Sequence, residues 1–131
     1  MQKEIATAAN WWVNKIASTI HVKDRSNLIN FKSVLMELLH AKYANHWYPN
    51  EPQKGHGYRV ISNEYCIDPI IQKAADAVSE SLAKNLSKLR YHFDDRWVVM
   101  FVNPGEVIIK THSYELIKIY DKNDTSISIP Q

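Results

Sequence analysis

The chain has 131 residues, of which 45% are hydrophobic and 23% charged, and its formal net charge is +2. This length and composition predict one folded domain and exclude a disordered chain. The single cysteine excludes a disulfide-built secreted scaffold and favours a reducing compartment. The three glycines are too few for the Gly-rich phosphate loop of a Rossmann or P-loop fold, and no apolar stretch predicts a membrane span or a signal peptide.

The first two predicted elements are helices joined by a short link. Residues 2–20 carry apolar side chains at steps of three and four, the spacing of an amphipathic helix, at Ile5, Ala9, Trp12, Ile16 and Ile20. Asp24 or Ser26 can cap a second helix, which has a broad apolar face and ends near Tyr43. The short link predicts two neighbouring antiparallel helices.

The middle of the chain predicts a loop, a short strand and two further helices. Residues 45–57 contain two prolines and two of the three glycines, a composition typical of a loop, and residues 58–62 alternate as a short strand. Asp68 is a good N-cap and Pro69 suits the first helical position. The helix that follows has apolar side chains inside, at Ile70, Ile71, Ala74, Ala75 and Val78. Another short helix is predicted through Leu82, Leu86 and Leu89.

The last third of the chain changes to the period of β-strands. Residues 97–102, 107–111 and 114–120 are rich in β-branched and aromatic residues and predict three strands. Residues 103–106 have the chemistry of a type II turn, with Pro104 second and Gly105 third, so the flanking strands should pair antiparallel. Helices followed by strands predict a single α+β domain over residues 1–123, with the helices packed on one face of a small antiparallel sheet. Residues 124–131 predict a polar tail.

The ionisable side chains form no recognisable catalytic or metal-binding pattern. The six histidines lack the close pairing of zinc sites, and the adjacent Asp94 and Asp95 predict a solvated turn rather than a magnesium site. Cys66 stands beside Ile67 without a neighbouring base, which favours a buried or half-buried small hydrophobe over a nucleophile. The sequence therefore predicts no catalytic residue, no metal and no cofactor. Without a basic block, direct RNA or DNA binding is a minor hypothesis.

The apolar run from Trp97 to Val102 needs cover on both faces of its strand. An antiparallel strand with one solvated face alternates, whereas these six successive positions are all apolar. One face can pack on the core, and the other predicts cover by the first or second helix or by a partner protein. Trp47 and Tyr48 leave a similar choice open, between pinning the loop to the core and forming a binding hot spot.

Residues 43–69 contain a long ordered set of motifs, namely YANHWYP at residues 43–49, Pro52, KGHGYRVI at residues 54–61 and Asp68-Pro69. This set resembles box A of the BTG/Tob family of anti-proliferative proteins. Residues 97–118 resemble its box B, through FVNPGEV at residues 101–107. Met1–Ile5 resembles the family's amino terminus, and the resemblance runs from Met1 to about Asn123. We refer to residues 43–69 and 97–118 as the box A and box B segments.

The resemblance implies a compact α+β domain without catalytic activity. Family members are adaptors that bind the exonuclease subunit of the cytoplasmic deadenylase complex and bring it to selected messenger RNAs, often through RNA-binding proteins. The implied results are poly(A) shortening, translational repression and restrained proliferation or altered cell fate. The resemblance also implies that contact with mRNA is indirect, that no membrane is involved, and that the protein is found in the cytoplasm and the nucleus.

Carried over to this chain, the resemblance implies a nuclease-binding surface made by Tyr58, Asp68, Phe101 and Asn103. Two aromatic residues would supply buried anchors, and a carboxylate would supply a directional polar contact. Box B also departs from the family's usual W-V-D-P stretch, because Phe101 and Asn103 replace the tryptophan and the aspartate, and Gly105 replaces what is commonly an aromatic residue. Phenylalanine lacks the indole N–H and asparagine lacks the charge. The alternative hypothesis is a self-associating structural scaffold on mRNA–protein complexes, with weak or no deadenylase binding.

Overall fold

The computed structural model describes residues 1–20, 22, 24–88 and 97–124, and its helices precede its main strands. In chain order the elements are α1 (Gln2–Thr19), α2 (Ser26–Tyr43), α3 (His56–Arg59), β1 (Ile61–Ser62), α4 (Pro69–Val78), α5 (Glu80–Lys88), β2 (Val98–Asn103), β3 (Glu106–Thr111) and β4 (Leu116–Asp121). The predicted α+β fold is confirmed. Within the described ranges, no helix combines the length and the apolar composition needed to cross a membrane.

The strands form one antiparallel sheet in the order β1-β2-β3-β4. Asn103 pairs with Glu106, so Pro104 and Gly105 are the two central residues of the turn between β2 and β3. Gly105 has a φ of +87°, a conformation that glycine adopts without steric cost. The turn predicted from the sequence is therefore confirmed at its glycine.

The core lies between the helices and one face of the sheet. α1 packs across β2, β3 and β4, α2 packs against α1 and α4, and α5 packs against α4. The predicted stripe of α1 is buried at Ile5, Ala9, Trp12 and Ile16, and α2 contributes Leu28, Phe31, Leu35 and Leu39. Burial of such stripes is the main stabilising contribution for both helices, because helices in proteins owe most of their stability to the packing of an apolar face.

The apolar run in β2 meets two different environments. Val98, Met100 and Val102 are buried in the core, on the face that α1 covers. Val99 and Phe101 point to the opposite face of the sheet, where both side chains are half-buried. The predicted cover of the second face by the first or second helix is thus not found among the described residues: α1 covers the core face, and α3 contacts Phe101 on the other.

The predicted strand over residues 58–62 is wrong in its first half. Tyr58 and Arg59 belong to the helical turn α3, and β1 contains only Ile61 and Ser62. Gly55 has a φ of +75° and its carbonyl accepts a hydrogen bond from the backbone N of Tyr58, so the chain curls where we expected it to extend. Hydrogen bonds from the Arg59 side chain to distant carbonyls stabilise this curled backbone, which does not pair in the sheet.

Two smaller predictions also need correction. Cys66 is exposed, because it lies in the bend between β1 and α4 whose apolar contact with the core is made by Ile67. The last strand begins at Leu116, since Tyr114 has a φ of 65° and lies in the connecting turn. Asp68 caps α4 as predicted, and Leu82 and Leu86 are buried in α5. The predictions for Leu89, for Asp94-Asp95 and for residues 125–131 lie outside the described residues.

Candidate functional site

Tyr58 is one of six large hydrophobic side chains that the described structure leaves exposed. It lies on α3 and is 47% exposed. The His46 ring lies 3.9 Å from the Tyr58 ring, measured between centroids, and the Lys42 Nζ lies 5.0 Å from the Tyr58 centroid. Aromatic and cation–π contacts of this kind restrict the rotamer of an exposed ring. Tyr58 is therefore held in place while about half of its surface faces solvent.

Phe101 lies on β2, on the face of the sheet opposite to α1, and is half-buried. Its ring centroid is 6.1 Å from that of His56, the first residue of α3. Because Tyr58 belongs to the same short helix and α3 packs against β2, the structure brings Tyr58 and Phe101 onto adjoining elements.

Asp68 occupies a different position from the two aromatic residues. Its Oδ1 accepts a hydrogen bond of 3.0 Å from the backbone N of Ile70, and its Oδ2 accepts one of 3.1 Å from the backbone N of Ser62. The carboxylate thus caps α4 and satisfies a donor of the edge strand β1. None of the described contacts joins Asp68 to Tyr58 or Phe101.

Asn103 is only 3% exposed, and its side chain is turned into the protein. Its Oδ1 accepts a hydrogen bond of 2.9 Å from Nη2 of Arg59. Of the four residues that the resemblance implicated, Tyr58 is thus exposed, Phe101 and Asp68 are half-buried, and Asn103 is buried.

Arg59 is the residue of this region to which the sequence had assigned no role. Its side chain is fully buried, and its own carbonyl accepts a 2.6 Å hydrogen bond from the Tyr43 hydroxyl. Burial lowers the pKa of Arg59, and burial followed by the nearby Asp68 carboxylate raises the pKa of Tyr43 above its ordinary value. No sequence signal marked Arg59, because its acceptors are mostly main-chain carbonyls that any residue type provides.

The two loop aromatics take different positions. Trp47 packs against the core, and its ring centroid lies 6.1 Å from that of Tyr43 and 5.5 Å from the Arg59 guanidinium. Trp47 therefore pins the box A loop, which we define as the residues between α2 and α3, to the core, one of the two alternatives raised by the sequence. Tyr48 lies further out, where its hydroxyl donates to the Asn45 carbonyl at 3.2 Å and Lys54 Nζ lies 4.5 Å from its centroid.

The surface around Tyr58 and Phe101 is suited to binding another protein. It combines aromatic rings, imidazoles and a lysine, and hot spots of protein interfaces are rich in such aromatic anchors. Across the described ranges, no group of three or more His, Cys, Asp or Glu side chains has the arrangement needed to hold a metal ion.

Comparison with known proteins gives a consistent result. The model of the BTG family matches residues 1–120. Protein BTG1 from Gallus gallus is 37% identical over 107 residues, which are 82% of this chain and 59% of BTG1. Protein Tob1 from Rattus norvegicus is 35% identical over 122 residues, which are 88% of this chain and 33% of Tob1. The chain thus spans less than two thirds of these relatives.

A solved structure has the same fold. The BTG/Tob domain of FOG-3 from C. elegans superposes with a TM-score of 0.69 at 20% identity, covering 92% of this chain and 90% of that one. At this level of identity the likeness concerns the fold alone. The match to the family model spans nearly the whole chain, and the matches to BTG1 and Tob1 each cover more than four fifths of it. The chain belongs to the BTG family.

Proposed function

We propose that this chain is a non-catalytic adaptor that binds the exonuclease subunit of the deadenylase complex. Binding would bring the nuclease to messenger RNAs held by RNA-binding proteins, shorten their poly(A) tails and repress translation, in the cytoplasm and the nucleus. The outcome for the cell would be restrained proliferation or a directed cell fate. Membership of the BTG family supports this role.

The observation that carries the proposal is the exposure of Tyr58 on α3, the helical turn that packs against the strand of the half-buried Phe101. Tyr58 is fixed by His46 and Lys42 at the protein surface, and His56 on the same helical turn reaches the ring of Phe101. Rigid, partly exposed aromatic rings lose little conformational entropy on binding, which makes them effective anchors. A partner that covers α3 and the end of β2 would contact both rings.

The experiment measures binding of the purified exonuclease subunit by calorimetry. Tyr58→Ala and Phe101→Ala should each weaken binding at least tenfold, because loss of an interface anchor typically costs about 1.4 kcal/mol or more. Tyr114→Ala is the matched control, since Tyr114 is another exposed tyrosine, 73% exposed. It lies in the connection between β3 and β4, at the end of the sheet opposite to the turn between β2 and β3. No binding by the unaltered chain at micromolar concentration, or equal binding by all three variants, would sink the proposal.

A cellular measurement tests the consequence of binding. Tethering the chain to a reporter mRNA should shorten its poly(A) tail, and Tyr58→Ala should abolish the shortening at equal protein level. Tethered Tyr114→Ala should behave as the unaltered chain. Shortening that persists with Tyr58→Ala would contradict the proposed surface.

The second candidate function is a self-associating scaffold on mRNA–protein complexes. The observation that favours it is on β4, at the edge of the described sheet, where Leu116 is 69% and Ile117 42% exposed. Apolar edge strands are prone to pair with another chain. Sedimentation over a concentration series should then show a rising mass that Ile117→Lys suppresses and Ile29→Lys, at an exposed position of α2, does not. A monomeric mass at every concentration would remove this candidate.

A further inference from the structure

Arg59 is a fully buried cation whose side chain donates five hydrogen bonds. Nε donates to the carbonyl of Val102 at 2.7 Å, and Nη2 donates to Oδ1 of Asn103 at 2.9 Å. The other three bonds go to the carbonyls of His46, Lys54 and Pro52, at 2.7, 2.7 and 2.9 Å. The five N–H groups of a guanidinium are its full complement of donors, so all of this donor capacity has acceptors inside the protein.

These acceptors belong to two segments that are distant in sequence. His46, Pro52 and Lys54 belong to the box A loop, whereas Val102 and Asn103 end strand β2 in the box B segment. Arg59 itself ends α3, directly after Tyr58, and Val102 directly follows Phe101. The guanidinium therefore ties the backbone beside one exposed aromatic residue to the backbone beside the other.

None of the five acceptors is a carboxylate. A buried cation that lacks a carboxylate partner carries a large desolvation cost, and well-packed apolar side chains stabilise a core as well or better. Burial accordingly lowers the pKa of Arg59. What the guanidinium supplies, and an apolar side chain does not, is a planar fork that fixes several carbonyls at once in one geometry.

We propose that Arg59 and Asn103 are positioning residues of the Tyr58–Phe101 surface, holding the box A loop and the end of β2 in a single binding-competent arrangement. Asn103 acts through Nη2 of Arg59 rather than by touching the partner, since its side chain is 3% exposed. The inference rests on the proposed function for its binding consequence and on the hydrogen-bond geometry for its structural one.

A double-mutant cycle separates positioning from contact. The variants are Arg59→Lys, Asn103→Ala and the double variant, each titrated with the purified deadenylase exonuclease subunit. Arg59→Lys keeps the charge and loses the fork, so binding should weaken at least tenfold, and Asn103→Ala should weaken it less. The double variant should bind within twofold of Arg59→Lys alone, because the contribution of Asn103 passes through the guanidinium. Independent, multiplying effects would overturn the role assigned to Asn103.

Leu86→Ala is the control for the possibility that destabilisation of the fold alone weakens binding. Leu86 is fully buried in α5, outside the box A and box B segments, and its truncation destabilises the fold without removing a hydrogen bond of Arg59. All variants are titrated at a temperature where each is folded by circular dichroism. Leu86→Ala should bind as the unaltered chain does. Equal weakening by Leu86→Ala and Asn103→Ala would overturn the proposal, since binding would then follow stability alone.

Hydrogen exchange tests the same coupling without any partner. In Asn103→Ala, the amides of Glu51 and Lys54 in the box A loop should exchange faster together with that of Gly105 in the box B turn, while α1 and α2 keep their protection. Faster exchange at Gly105 with an unchanged loop would overturn the coupling. Failure of the unaltered chain to bind the exonuclease subunit would sink the proposed function, and the exchange measurement would still decide the role of Arg59 and Asn103.

Discussion

Glu4 in the first turn of α1 and Gly105 in the turn between β2 and β3 are joined by a buried hydrogen bond. The Oε2 atom of Glu4 accepts from the backbone N of Gly105 at 2.9 Å, and Glu4 is nearly inaccessible to solvent. The start of the first helix thus satisfies a donor of the turn between β2 and β3, 101 residues further along the chain.

Replacing Glu4 tests how much this hydrogen bond contributes to the free energy of unfolding. Glu4→Ala leaves a buried N–H without its acceptor, and we expect a loss of about 1 to 3 kcal/mol in the free energy of unfolding. Glu4→Gln keeps an acceptor oxygen of the same reach and should lose markedly less. Urea denaturation of the three proteins at pH 7 measures both effects. Equal losses in the two variants would show that the hydrogen bond contributes little.

Tyr43→Phe removes the donor to the carbonyl of Arg59. This carbonyl would then lack a buried partner, so the free energy of unfolding should fall by about 1 to 2 kcal/mol. A loss below the error of urea denaturation would show that another donor replaces the hydroxyl.

The same tyrosine predicts a dependence of stability on alkaline pH. Burial, followed by the Asp68 carboxylate, raises the pKa of Tyr43 above its ordinary value, so the folded state keeps a proton that the unfolded state releases. The contribution of Tyr43 to stability is therefore complete below about pH 10 and declines above it, by at most about 1.4 kcal/mol per pH unit. Urea denaturation between pH 8 and 11 should show a shallower decline for Tyr43→Phe, and parallel curves would contradict the prediction.

Asp68 should contribute to the stability of the fold, whether or not it also contacts a partner. Asp68→Ala removes the cap of α4 and the acceptor for Ser62, and we expect a loss of about 1 to 2 kcal/mol in the free energy of unfolding. Asp68→Ser restores a capping oxygen and should recover part of the loss. A binding defect of Asp68→Ala therefore indicates contact with a partner only if Asp68→Ser, equally folded, has the same defect.

Substitution by alanine should have opposite effects on stability at Gly57 in the box A segment and at Gly105 in the box B segment. Gly105→Ala places a side chain at a φ of +87°, with its Cβ 2.9 Å from Cδ of Lys122, and should cost about 1 to 2 kcal/mol. Gly57→Ala, on the helical turn α3 with open space around the new Cβ, should be neutral or stabilise by up to about 1 kcal/mol. Thermal unfolding of both variants is the measurement. A stabilised Gly105→Ala would contradict this account of the turn.

Asn103→Asp should strengthen the contact with Arg59. A carboxylate beside a buried guanidinium forms a charge-assisted hydrogen bond, and we expect a gain of about 1 kcal/mol at pH 7. The guanidinium would hold the pKa of the introduced carboxyl below about 3.9, its value in the unfolded chain, so the gain is complete above that pH and is lost as pH falls further. Urea denaturation at pH 7 and pH 3 measures it, and a gain of equal size at both values would contradict the ion pair.

The sequence was a good guide wherever local periodicity decides structure. The stripe from Ile5 to Ile16 specified α1 and its buried face, Asp68-Pro69 specified the start of α4, and Pro104-Gly105 specified the hairpin turn. In each case the determining contacts lie within a few residues of one another, so they are visible in a short window of sequence. The alternation at residues 58–62 predicted a strand that is wrong in its first half, because contacts outside that short window decide the structure. Gly55 and the distant acceptors of Arg59 curl the backbone there.

The candidate site depended on contacts that no short window contains. The motif named Tyr58, Asp68, Phe101 and Asn103 as one set. The tertiary structure divides that set into two surface aromatics, one helix cap and one buried partner of Arg59. The sequence by itself determined the family and the order of the elements other than α3. Only the folded chain decided which side chains face solvent, because Arg59 joins carbonyls from residues 46 to 102, and such long-range pairing leaves no pattern along the chain.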